Sequence, residues 1–205
     1  MVRKILPLLL VLTGLMLAGC GDYGKVEQGR TVAFDKDKGQ VTIIVDNNLD
    51  PKKQPNYATL PVHVYTLPTV PAERGADPTP ALRMGFDVEK KIITMYNPKT
   101  KAFEELPFEV LADHKDVNVR RQHPLVWDAA TRRAISFPRI DAANRTIDIY
   151  SRRQLRFTSI KLSEADFAKY KDKEWDAGDE VRIYYKEPGK AQRFMNITKT
   201  DITRR

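Results

Sequence analysis

Alternation of apolar and polar residues constrains this chain more than any other feature. Val32-Ala33-Phe34-Asp35 is followed by the polar stretch Lys36-Asp37-Lys38-Gly39 and then by Val41-Thr42-Ile43-Ile44-Val45. Met84-Gly85-Phe86-Asp87 leads in the same way through 88–91 to Ile92-Ile93-Thr94-Met95-Tyr96. Ile135-Ser136-Phe137-Pro138 leads through 139–144 to Thr146-Ile147-Asp148-Ile149-Tyr150. A period of two is the pattern of a strand with one buried face, and Asp, Gly and Asn suit the tight turns between such strands. A mainly β fold of antiparallel hairpins is therefore expected. The three units read equally as an internal repeat and as the ordinary form of a hairpin.

The C-terminal part supplies an expected topology. Leu155 to Leu162 alternates as another strand, and Ser163-Glu164-Ala165-Asp166 has the N-cap and acidic first turn of a helix. Val181 to Tyr185 reads as a strand, Glu187-Pro188-Gly189-Lys190 as a turn, and 192–198 as the return strand. Three strands, one short helix and two strands follow the order of an OB-fold, so 134–202 is expected to form an OB-like small barrel. The N-terminal β region, 31–112, carries a Pro-rich connection with Pro51, Pro55, Pro61, Pro68, Pro71, Pro78 and Pro80. Within it only 60–67 alternates as a strand. Residues 69–80 must lack regular ladder pairing and serve either as a functional loop or as a rigid surface strap.

The chain has one cysteine, Cys20, in 205 residues. That excludes an intramolecular disulfide and clustered-thiolate metal sites. Before it stand Arg3-Lys4, an apolar run over 5–17, and Ala18-Gly19. A positive start and an apolar run of about a dozen residues are the marks of a secretory signal, short of the roughly 20 apolar residues a spanning helix needs. Leu17-Ala18-Gly19-Cys20 resembles the lipobox of bacterial lipoproteins. The resemblance implies a signal peptide over 1–19, cleavage between Gly19 and Cys20, and a Cys20 carrying diacylglycerol and an acyl group such as palmitate. Residues 20–30, polar and rich in glycine, are expected to form a flexible tether. In enterobacterial members an aspartate directly after the cysteine favours the inner membrane; here Asp22 stands one place later. The implied location is the cell envelope, with the outer membrane favoured and the body facing the periplasm.

The search for chemistry yields little. His63, His114 and His123 are too far apart for a metal motif, and no nucleophile elbow, glycine-rich phosphate loop or His-Glu-x-x-His occurs. His63 differs in parity from Val62 and Val64 and reads as exposed. Residues 93–107 resemble one strand–turn–strand unit of a kelch repeat, but no second copy exists and only a hairpin is expected there. The formal charge of +8 favours anionic partners. Arg145, Tyr150, Arg152, Arg153, Arg156 and Tyr184 form a candidate basic and aromatic binding face, since OB-like barrels bind ligands through such surfaces.

As a whole the mature chain resembles short, basic lipoproteins grouped under domains of unknown function. The lipobox, the size and the passage Gly178-Asp179-Glu180-Val181-Arg182-Ile183-Tyr184-Tyr185 carry that resemblance, which transfers no active residues. The expectation is a non-catalytic envelope lipoprotein that binds or scaffolds another component. Its partners would be the membrane, through the lipid anchor, and an envelope protein, glycan or anionic lipid rather than nucleic acid. No metal or other cofactor is expected. The alternatives are a periplasmic ligand- or metal-binding module and an enzyme acting on envelope polymers.

Overall fold

The computed structural model describes residues 23–48 and 55–200. The signal segment, Gly19, Cys20, Pro51 and the end of the region expected to reach Ile202 lie outside these described residues. The strands are β1 (Lys25–Asp35), β2 (Gln40–Val45), β3 (His63–Thr66), β4 (Arg83–Asp87), β5 (Ile92–Asn97), β6 (Ala102–His114), β7 (Trp127–Asp128), β8 (Arg133–Ala134), β9 (Arg139–Asp141), β10 (Thr146–Ser151), β11 (Arg156–Leu162), β12 (Glu180–Tyr185) and β13 (Ala191–Asn196). A short helix, α1 (Glu164–Phe167), lies between β11 and β12, with Ser163 Oγ accepting the Asp166 N–H as its N-cap. The fold is mainly β and antiparallel, as expected.

Six of its hairpins share one local device, which the β12–β13 turn lacks among the described residues. The side chains of Asp35, Asp87, Asn97, Asp128, Asp141 and Ser151 each accept the backbone N–H of the residue two or three places ahead, at 2.9–3.2 Å. Four residues beyond each of these the backbone turns left-handed, at Gly39, Lys91, Lys101, Arg132, Arg145 and Leu155. The side chain bends the loop and the positive φ returns it into the second strand. The third expected hairpin is displaced for this reason. Its first strand is Arg139–Asp141 rather than 135–138, because Asp141 is the residue that starts the turn and Pro138 has no N–H to give a ladder.

Two sheets result. The first runs β13-β12-β1-β2-β3 and the second β4-β5-β6-β11-β10-β9, with β7 and β8 as a separate pair. In the second sheet β6 pairs with β5 over 102–107 and with β11 over 108–114, so it changes partner at Pro107. The main core lies between the sheets. Val32 and Ile44 of the first meet Ile93, Met95, Leu106, Ile147 and Ile160 of the second, with the fully buried Trp175 among them. The first sheet also buries its other face. Val41, Ile43, Tyr65, Val181, Ile183, Tyr185 and Phe194 form a separate cluster drawn from that sheet, so the sheet curls over its own face.

The OB-like barrel expected over 134–202 is not formed. Strands β9–β11 join the second sheet, whereas β12 and β13 cross to the first and pair with β1. Strand order along the chain does not encode which sheet a hairpin joins, and that choice here depends on the long-range pairing of 25–30 with 180–185. The tether expected over 20–30 is also shortened. Residues 25–30 are a central strand, hydrogen-bonded to β12 and, from Gly29, also to β2. The Pro-rich segment does form a strap. Arg74 bridges to Phe194 beside β13, and the buried Asp179 carboxylate accepts the Thr79 N–H and the Asn196 side-chain amide, each at 2.8 Å.

Candidate functional site

The chain enters the described fold at Tyr23 and Gly24, beside Tyr184 of the first sheet. Gly24 lies close to the ring of Tyr184; a Cβ there would stand 2.6 Å from it, so a larger residue would push the tyrosine ring aside. Register places Val26 opposite Tyr184, Tyr184 opposite Arg193, and Arg182 opposite Met195. These side chains line one shallow groove with Glu73. Val26 and Met195 are 57% and 43% exposed, an apolar pair on a face that elsewhere packs on the main core. Arg193 is neutralised by Glu73 at 2.6 Å. Arg182 donates to the Gln28 amide oxygen at 2.8 Å, so its charge has no carboxylate partner among the described residues. Lys25 and Lys186 add exposed positive charge at the same end. The arrangement is an apolar strip with a basic margin where the N-terminal chain departs.

On the opposite, curled face of the same strands a carboxylate is fully engaged. Glu27 Oε2 accepts the Tyr65 hydroxyl at 2.7 Å and lies 2.7 Å from His63 Nδ1, while Oε1 accepts the Tyr185 hydroxyl at 2.7 Å. Burial pushes the Glu27 carboxyl up, but hydrogen bonds from Tyr65, Tyr185 and His63 outweigh it and hold it below its ordinary value. Burial, then the Glu27 carboxylate, push the Tyr65 and Tyr185 phenols up. His63 differs in parity from Val64 as expected and its side chain stays 41% exposed, but it is not the outward residue of the strand. Val64 is the outward residue of β3, and His63 shares its face with the buried Tyr65. Among the described residues no group of three His, Cys, Asp or Glu is placed to hold a metal.

The residues of the expected basic face are dispersed. Arg145 sits in the β9–β10 turn, 3.8 Å from Glu164. Arg152 and Arg153 sit at the far end of β10, in the turn to β11. Arg156 is held bidentately by Asp113, both bonds 2.7 Å, and reaches Glu89 at 3.2 Å, so its charge is spent within the fold. Tyr150 packs against Phe137 in the small cluster with Phe157 and Val117 and donates to the Val117 carbonyl at 2.9 Å. Tyr184 lies in the other sheet, on the exit face. Tyr150, Arg152, Arg153 and Arg156 are thus near one another, while Arg145 and Tyr184 stand apart. Sequence reading missed Val26, Arg182 and Met195 because β1 read as tether; only the short alternation around Val26 signals otherwise.

No curated protein matches this chain, and no solved structure matches it. A family model described as a domain of unknown function, DUF4881, matches residues 22–205, beginning two residues after Cys20 and covering both sheets. The chain belongs to the DUF4881 family.

Proposed function

We propose that the chain is a membrane-anchored cell-envelope lipoprotein whose body is a non-catalytic binding or scaffolding module. Cys20 is the lipidated first residue after cleavage from Gly19, and the body faces the periplasm, with the outer membrane favoured. One observation carries the reading. Only residues 21–24 separate Cys20 from the central strand β1, and an extended chain spans at most about 3.6 Å per residue, so Lys25 stands within about 18 Å of the anchor. At that distance the strip of Val26, Tyr184 and Met195, with Arg182 beside it, lies against the headgroups of the anchoring bilayer. Apolar side chains enter the headgroup boundary and cations meet anionic lipid there. This leaves the remaining surface to a protein or glycan partner.

The test is the mass of the N-terminal peptide of the mature protein purified from a bacterial membrane fraction. A diacylglycerol-modified Cys20 supports the reading, and a Cys20→Ser chain should leave the membrane fraction. An unmodified mature N-terminus beginning elsewhere would overturn it.

A further inference from the structure

Away from the exit face, a cavity of about 480 Å³ opens between the two sheets. Arg30 of β1 and Arg83 of β4 both line it, brought together because the first sheet packs its Arg30–Ile44 row on the second. Arg30 donates to the carbonyls of Arg83 and Met84 at 3.2 and 3.4 Å, and its guanidinium stacks 4.3 Å from the centre of the Tyr57 ring. It makes no ion pair among the described residues. Glu180, opposite it on β12, is engaged by the Gln28 amide. Arg83 is nearly enclosed, donates through Nε to the Trp175 carbonyl at 3.0 Å, and meets one carboxylate, Asp176, at 3.9 Å. That carboxylate also accepts the Ala177 N–H at 2.6 Å.

The hydroxyl of Tyr57 is the second, independent sign. Tyr57 is 5% exposed and lines the cavity, yet among the described residues its oxygen makes no hydrogen bond of normal geometry. Buried hydroxyls are nearly always hydrogen-bonded, so one left without a partner among the described residues, beside the Arg30 guanidinium, is a donor awaiting an acceptor. Phe86, Phe137 and Tyr150 supply apolar wall around the same space. Arginine forks match the planar oxygens of carboxylate and phosphate.

We infer that this cavity is a binding site for a small organic anion, with its carboxylate or phosphate held by Arg30, Arg83 and the Tyr57 hydroxyl and its apolar body against Phe86 and Phe137. The inference stands on the cavity alone and does not require the lipid anchor.

The test titrates the purified protein beginning at Cys20, with Cys20→Ser, against benzoate, phenyl phosphate and inorganic phosphate, followed calorimetrically and by the NMR signals of the tyrosine rings. Benzoate or phenyl phosphate should bind saturably and more tightly than inorganic phosphate; which of the two leads tells carboxylate from phosphate. Tyr57→Phe keeps the ring and should weaken binding about tenfold, the scale of one hydrogen bond to a charged group. Arg83→Gln should abolish binding in protein whose circular dichroism is unchanged; if that variant does not fold, Arg30→Gln takes its place. Absence of saturable binding by any probe, or binding that Tyr57→Phe and the arginine variants leave unaltered, overturns the inference.

Discussion

The two sheets are built from the same kind of hairpin but closed in different ways. The second sheet consists of two local meanders, β4-β5-β6 and β9-β10-β11, joined through the long strand β6. The first sheet depends on β1 meeting β12, with Gly29 opposite Val181 and Arg30 opposite Glu180. Local closure costs little chain entropy, whereas the β1–β12 pairing must close nearly the whole chain. The difference shows in their polar content. The second sheet's turns are each held by their own Asp, Asn or Ser, while the first sheet is also tied by buried or half-buried non-local groups: Asp179 with Thr79 and Asn196, and Glu27 with Tyr65 and Tyr185.

Three substitutions test that contrast. The largest effect is expected from Trp175→Ala. Trp175 is fully buried in the core both sheets share, stacked on Phe167 and edge-on to Tyr170, and its loss should cost about 3–5 kcal/mol. Denaturant unfolding followed by far-UV dichroism and by tyrosine fluorescence should shift as one transition; two separated transitions would show that the sheets unfold independently. Next is Gly178→Ala. Gly178 has φ +68° and packs on the Thr31 carbonyl and Ala81, so a side chain there combines backbone strain with a clash, about 2 kcal/mol. Hydrogen exchange should quicken at the β1–β12 ladder more than in the β4–β5 hairpin, and equal quickening would erase the distinction.

The smallest effect concerns Glu27. Its carboxyl is held below its ordinary value in the fold, so the stability it contributes is fully present above the unfolded value. That contribution is lost as pH falls through the folded one. Glu27→Gln should lower stability at neutral pH by about 1–2 kcal/mol and flatten the acid limb of the stability curve. An acid limb unchanged in the variant would mean that other carboxylates govern it.

How much of this was legible follows from the same contrast. Alternation and turn residues located the β1–β2, β4–β5 and β5–β6 hairpins, and Ser163 marked the start of α1, because each is decided within a dozen residues. A sharper signal was present and unused: an Asp, Asn or Ser four residues before the left-handed position. At Asp141 and Arg145 it would have placed the third hairpin correctly. The sheet assignment of β12 and β13 was not legible, since Val181-Arg182-Ile183 alternates alike in a barrel and in an edge hairpin. Strand β1 was obscured because Gly24, Gly29 and the charges between them read as linker; their ordering comes from pairing with β12, far along the chain. Nor could spacing bring Arg30, Tyr57 and Arg83 to one cavity, for each lies on a different element and only sheet packing unites them.

The pairing of Lys25–Arg30 with Glu180–Tyr185 has a consequence for the order in which the molecule can assemble. A chain emerges from synthesis N-terminus first, and local hairpins close within microseconds of emerging. The meanders of the second sheet can therefore organise while the remainder is still being made. β1 must wait for β12, which follows every strand of the second sheet, and until then the edge it will share with β12 stays open. A truncation that removes β12 and β13 thus takes away the partner of the oldest strand in the chain, leaving the segment nearest Cys20 with an unpaired edge and a vacant half of its core.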